Sequence, residues 1–279
     1  MAGASPPSRW AARRRALKSQ LLWLLIVPGV ALGLWLAGVV ATTDMPVPLG
    51  SCRAFKNVLA VFPHADDETV NCGGAIHRFS AGGARVTVLL LTGGERGNPA
   101  GEADTSLKAI RRREAERVAE ILGVSRMIQQ DFGDGMLSNR PDEVKAYLTQ
   151  TIRQIRPDLI LTYDPAGLDG HPDHVACAEI LIELRRTQFP TTALWCAALP
   201  RRVVKLLKLS RQLRTQASVD QRRASPTFRI FIGTGVIPKI RAWYAYESQR
   251  GFIGKGFGRL VPIWFAVSAM QFEYFAEVR

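Results

Sequence analysis

Histidine and cysteine are both scarce, at four of each in 279 residues. Cys52, Cys72, Cys177 and Cys196 include no Cys-x-x-Cys spacing, which excludes a cysteine-built structural zinc site. A disulfide outside the cytoplasm is permitted but not demanded, and Cys72 and Cys177 read as small buried apolar side chains. Met1 to Gln20 contains no acidic residue, and Leu21 to Ala41 contains no charge at all. From Arg201 to Arg259, Asp220 and Glu247 stand alone against fourteen basic residues. No internal repeat or long low-complexity tract is present. No nucleic-acid recognition motif accompanies the excess of positive charge, so nucleic acid is not an expected partner.

The net charge of +13 favours acidic partners. Apolar content is high enough for a packed core, and the length suits one α/β domain with additions. Residues 1–20 read as a basic cytoplasmic tail, with Arg9, Arg13, Arg14, Arg15 and Lys18. Residues 21–41 read as a transmembrane signal anchor, long enough for a bilayer and flanked by Trp23 and Trp35. Val39-Val40-Ala41 has the small residues of a weak cleavage site, but the apolar run exceeds a signal-peptide core, and an uncleaved anchor is favoured. The basic flank places the remainder outside the cytoplasm. Residues 42–55 read as a linker, and 56–279 as the folded α/β domain, with a basic C-terminal part over 200–279.

Two stretches concentrate the chemistry. Asn57 to Val61 is an apolar strand followed by Phe62-Pro63-His64-Ala65-Asp66-Asp67-Glu68, then a helical pattern over Thr69 to Ser80. Leu159 to Thr162 is a second apolar strand, followed by Tyr163-Asp164-Pro165 and Gly170-His171-Pro172-Asp173-His174, then a helix from Val175 to Arg186. Three of the four histidines lie in these two loops. Imidazole and carboxylate are zinc ligands, and C-terminal strand ends of a parallel sheet share one edge. An acidic N-cap is the plain alternative for the first loop alone. Strands alternating with helices at this spacing predict a Rossmann-like three-layer α/β sandwich with a mainly parallel sheet, preceded by one transmembrane helix.

His-x-Asp-Asp-Glu followed by Tyr-Asp-Pro and Gly-His-Pro-Asp-His resembles the PIG-L/LmbE-like zinc-dependent de-N-acetylases over roughly Lys56 to Leu184. The resemblance implies a deacetylase of N-acetylglucosamine conjugates, lipid-linked ones among them. It implies zinc (Zn2+) on His64, Asp67 and His174, with Asp66 as general base. His171 then stabilises the oxyanion, best as an imidazolium, held or tuned by Asp173. Other divalent metals also suit such a site. Ala65 stands where the family usually has Pro, which implies altered loop stiffness rather than lost chemistry.

Weaker resemblances place the Thr92 to Pro99 loop near the sugar, with Arg111 and Asp134 as substrate-binding residues. A solvated charged face is the alternative for Arg111 and Glu114. Tyr246 stands where many members have His, so no role carries over to it. Val203 to Leu213 reads equally as a surface helix or as one lying on a membrane. Leu260 to Met270 reads as a core strand or an interfacial patch, and the basic C-terminal part as a surface for anionic lipid. Two other functions stay open: a zinc amidase acting on a non-sugar amide, and a non-catalytic Rossmann-like binding module.

Overall fold

The computed structural model describes residues 9–209, 217–251 and 262–278. Seven strands form one sheet: β1 (Asn57–Phe62), β2 (Arg85–Leu90), β3 (Arg126–Gln129), β4 (Leu159–Tyr163), β5 (Ala193–Ala197), β6 (Phe228–Phe231) and β7 (Phe272–Val278). The spatial order is β3-β2-β1-β4-β5-β7-β6. β1 to β5 run parallel; β7 is antiparallel to both β5 and β6. The sheet is therefore mixed at one edge, where the sequence pattern predicts mainly parallel pairing.

Alternate residues of β1 serve two cores, as the two-residue period of a strand requires. Val58, Ala60 and Phe62 pack with Ile76 and Phe79 of α2 (Asp67–Ala81) and Val118 and Leu122 of α3 (Thr105–Leu122). Leu59 and Val61 pack with Val144, Leu148 and Ile152 of α4 (Pro141–Ile155) on the other face. A short turn, α5 (Gly167–Gly170), precedes α6 (Pro172–Thr187), which joins that second core through Cys177, Leu181 and Leu184. Each such side chain contributes about 1.5–3 kcal/mol on burial. β1 and β4 are neighbours, yet their following helices α2 and α6 cover opposite faces. The chain order thus reverses between them and leaves a crevice at their C-terminal ends.

Local chemistry sets the helix ends. The Asp104 carboxylate accepts from the N–H groups of Ser106 and Leu107, starting α3. Gly123 ends α3 with φ 73°, a left-handed cap that glycine adopts without steric cost. α6 begins three residues earlier than the sequence pattern predicts. Pro172 fits its first turn, and the His171 ring caps it by accepting from the Asp173 N–H. His174 consequently sits on a helix rather than in a loop.

α7 (Arg201–Leu209) and α8 (Ala217–Gln221) precede β6, and α9 (Val236–Ala245) packs across α2 and α3. α2 breaks at Cys72 (φ −146°, ψ 23°). Glu273 of β7 caps the restarted helix, accepting from the Gly74 and Ala75 N–H groups at 2.9 and 2.7 Å. Lys239 of α9 pairs with Glu273 at 2.6 Å and donates to the Val70 carbonyl at 3.1 Å. A buried ion pair thus satisfies the backbone groups freed by the break.

The apolar N-terminal run is one helix, α1 (Arg9–Thr42), with Pro28 inside it. The expected linker after it is pinned to the domain rather than free. The Asp44 N–H donates to the Tyr274 hydroxyl at 2.7 Å, Arg229 Nη1 donates to the Asp44 carbonyl at 2.6 Å, and Leu49 bridges to Arg229. The described part of Leu260 to Met270 is a helix, α10 (Ile263–Ala269), not a strand. Arg211, Arg214, Lys255 and Arg259 lie outside the described residues. All four cysteines are free thiols, and Cys72, Cys177 and Cys196 are buried.

Candidate active site and metal centre

The β1–α2 loop and the start of α6 meet in the crevice. His64 Nδ1, His174 Nε2 and the Asp67 carboxylate form a triangle. Its edges are 3.2 Å between the imidazoles, 3.3 Å from His64 to Asp67 Oδ2 and 3.4 Å from His174 to Asp67 Oδ1. Tetrahedral coordination with bonds of about 2.0–2.1 Å separates its ligands by about 3.3 Å. Two imidazole nitrogens and the two oxygens of one carboxylate thus converge at spacings close to those a zinc-sized cation needs.

Outer partners aim both imidazole lone pairs into this triangle. His174 Nδ1 lies 3.0 Å from the Gly167 carbonyl, so Nδ1 carries the proton and Nε2 is free to coordinate. His64 Nε2 lies 3.0 Å from Asp134 Oδ1 and 3.2 Å from Asp173 Oδ2, which leaves Nδ1 as the free nitrogen. Asp67 Oδ1 accepts from the Tyr163 hydroxyl at 2.6 Å, and Oδ2 from the His64 N–H at 2.8 Å. The Tyr163 ring stacks on His174 with centroids 4.2 Å apart. Gly167 makes the close approach possible: at φ 58°, an added Cβ would lie 2.8 Å from His174 Cβ.

The electrostatics suit a cation. Burial disfavours charge on His174, but Asp67 and Asp169 outweigh it and raise its pKa to about 9. Burial likewise opposes ionisation of Asp67, yet His174 and His64 hold its carboxyl well below the usual range. A set of carboxylates that binds positive charge this strongly offers the same field to a metal ion.

Asp66, beside the triangle, has φ 107°, a left-handed conformation rare outside glycine. Glu68 Oε2 accepts its N–H at 3.2 Å. Glu68 Oε1 in turn accepts from the Tyr246 hydroxyl at 2.7 Å. On the other side, Arg111 Nη2 donates to the Ala65 carbonyl and lies 3.4 Å from Asp66 Oδ1. The unfavourable backbone is thus braced from both sides. Burial raises the Asp66 carboxyl to about 7 despite the Arg111 charge.

The structure brings together His64, Asp66, Asp67, His171, Asp173, His174, Asp134 and Arg111, but several stand differently from expectation. Asp173, expected beside His171, is fully buried behind His64, and its oxygens also accept from the N–H groups of Gly135 and Leu137 at 2.7 and 2.9 Å. Burial and the His174 and His64 charges lower the pKa of His171. Its Nδ1 accepts from the Asp173 N–H at 3.2 Å, so the neutral ring carries its proton on Nε2. Asp134 is buried between His64 and the Arg96 N–H rather than exposed to a sugar.

Arg111 is only 3% exposed and contacts protein carbonyls. Its Arg-x-x-Glu partner, Glu114, binds the N–H and hydroxyl of Ser248 at 2.8 and 2.6 Å. That pattern therefore ties α3 to the chain after α9. At Gly94 an added Cβ would lie 2.6 Å from Arg111 Nε, which explains glycine in the Thr92 to Pro99 loop. Sequence reasoning missed Tyr163, Tyr246 and Glu68 as supports. For Tyr163 the signal was present, because it directly ends the strand that carries the second loop.

Residues 59–184 match the family model described as PIG-L: GlcNAc-PI de-N-acetylase. The diacetylchitobiose deacetylase of Thermococcus kodakarensis is 42% identical over 121 residues, covering 43% of this chain and 45% of that protein. The 1D-myo-inositol 2-acetamido-2-deoxy-alpha-D-glucopyranoside deacetylase of Rhodococcus erythropolis is 34% identical over 148 residues, covering 43% and 49%. The matched stretch thus spans about half the length of these curated relatives. Among solved structures, N,N'-diacetylchitobiose deacetylase of Pyrococcus horikoshii shares the fold at TM-score 0.55 and 23% identity, covering 85% of this chain and 88% of that one. Residues 59–184 of the chain are therefore similar to the PIG-L family.

Proposed function

We propose that the protein is a metal-dependent hydrolase that removes the acetyl group from an N-acetylglucosamine-type substrate, lipid-linked ones among the candidates. The triangle of His64 Nδ1, Asp67 and His174 Nε2, with Asp66 braced beside it, carries this reading. The names of the Thermococcus and Rhodococcus relatives supply the substrate class. A bound divalent cation, zinc in our reading, supplies Lewis acidity and makes water a stronger acid. His64, Asp67 and His174 would hold that cation. Asp66 accepts the proton of the attacking water and delivers it to the departing amine nitrogen. His171, its ring held by the Asp173 N–H at Nδ1, would donate Nε2–H to the acetamide oxygen as that oxygen gains negative charge. The products are acetate and the free amine.

In the same reading α1 anchors the chain in a membrane. Leu24–Thr42 supplies 19 residues of mean hydropathy 2.3, and none of these residues is buried in the domain. The basic flank before it favours the cytoplasmic side, which puts the catalytic domain outside the cytoplasm. The direct test uses the full chain in detergent, a panel of N-acetylglucosamine conjugates and Asp66→Asn as control. About one zinc per chain, with acetate release abolished in a variant that still binds zinc, is the expected result. One zinc without acetate from any sugar would redirect the assignment to a non-sugar amide, and a folded chain that binds no divalent metal would refute it.

A further inference from the structure

Within Leu24–Thr42, the partly covered residues are Trp35, Gly38, Val39 and Thr42, the i, i+3, i+4, i+7 spacing of one helix face. α10 lies against that face. Trp35 Nε1 donates to Ser268 Oγ at 3.1 Å, and Thr42 Oγ1 donates to the Ala269 carbonyl at 3.1 Å. A Cβ on Gly38 would lie 3.0 Å from Ala269 Cβ, so the two helices approach as closely as small residues allow. Trp35 to Thr42 is roughly 10 Å of helix. α10 therefore lies beside the last turns of the apolar segment, not beyond them.

The surroundings of this contact are layered by polarity. α10 reads Ile263-Trp264-Phe265-Ala266-Val267-Ser268-Ala269, without charge, and Trp264 is 51% exposed. Beyond α1, the large apolar side chains exposed among the described residues are Ile110 on α3 and six others: Met45, Leu49, Phe231, Ile237, Tyr244 and Trp264. Those six fall on the 44–50 segment, β6, α9 and α10. These segments adjoin one another, since Arg229 of β6 binds the Asp44 carbonyl and α9 packs on α10. At the end of α1 the character changes to cationic. α7 touches α1, exposes Arg201, Arg202 and Lys205, and places Arg202 Nη1 3.4 Å from the Thr43 carbonyl. The uncharged surface of α10 along α1 and the cations of α7 at its end match acyl chain and headgroup in turn, with Arg241 and Arg250 on the α9 side also available to headgroups.

We propose that α10 is a second membrane element, inserted through Trp264 into the leaflet from which α1 emerges, so that the catalytic domain is held flush against the lipid. The occupant of this surface is the bilayer, because the surface continues the bare face of α1 and ends in cations. This rests on α1 being a membrane span. α9 links α10 to Tyr246, and through it to Glu68 and Asp66, so the inserted corner adjoins one wall of the active site.

The test reconstitutes the full chain and its Trp264→Phe variant in phosphatidylcholine–phosphatidylglycerol vesicles. Alkaline carbonate extraction first asks whether α1 is embedded. The difference in tryptophan emission between wild type and variant is then quenched with bromine-labelled acyl chains or with aqueous acrylamide. The expected result is resistance to extraction, with the difference emission lost in brominated lipid and retained in acrylamide. Resistance to extraction with the difference emission quenched by acrylamide alone overturns the insertion of α10 and leaves the anchor intact. Release by carbonate removes the anchor itself, and the insertion with it.

Discussion

Asp173 Oδ2 lies 3.2 Å from His64 Nε2, which makes this carboxylate a support of the His64 imidazole rather than a partner of the His171 ring. Such outer partners fix the tautomer of a ligating histidine and raise its basicity. Asp173→Asn keeps the side-chain shape but lowers the charge behind His64. The expected outcome is a loss of metal affinity of about 10–100-fold, measured by competition with a chelator. Unchanged affinity with reduced turnover would return Asp173 to the role expected from sequence.

Tyr163 reaches the same centre through Asp67. Tyr163→Phe retains the ring stacked on His174 and removes only the hydroxyl bonded to Asp67 Oδ1 at 2.6 Å. A hydrogen bond to a buried charged group is worth about 1.5–3 kcal/mol. A fall in stability of that order, read by denaturant midpoint at constant slope, is expected together with weaker metal binding.

Arg111 braces Asp66, the base of the proposed reaction. Lysine cannot reproduce the fork that spans Ala65, Asp66 and Gly94. Arg111→Lys should therefore lower kcat on the order of 10²-fold, the cost of misplacing a catalytic group by about an ångström, with KM little changed. A raised KM with intact kcat would instead indicate substrate contact.

The Lys239–Glu273 pair gives a stability test away from the site. Both side chains are buried, so Lys239→Met leaves an uncompensated carboxylate at the break in α2. The expected loss is about 3–5 kcal/mol, seen as a lowered Tm by calorimetry. Pairing it with Glu273→Gln, which keeps an acceptor for Gly74 and Ala75, should recover part of that loss.

Much was legible from local pattern. The strand and helix order, the opposed faces of β1, the Gly123 cap and the apolar length of α1 follow from residue periodicity and backbone preference. The clustering of three of four histidines in two strand-end loops likewise marked that sheet edge, while the choice of His64, Asp67 and His174 came from the family resemblance. The partners of each carboxylate were not legible in this way. Asp173 and His171 are neighbours in sequence, yet the first turn of α6 directs the Asp173 carboxylate toward His64 and leaves only its N–H for the ring.

Linear sequence thus determined which groups are available at the sheet edge, because strand period and loop composition are local properties. Tertiary structure alone decided which of them converge. Glu68 meets Tyr246 across 178 residues, and Trp35 meets Ser268 across 233. Contacts at such separations depend on how the layers pack, and packing sums many weak interactions that no short stretch of sequence encodes.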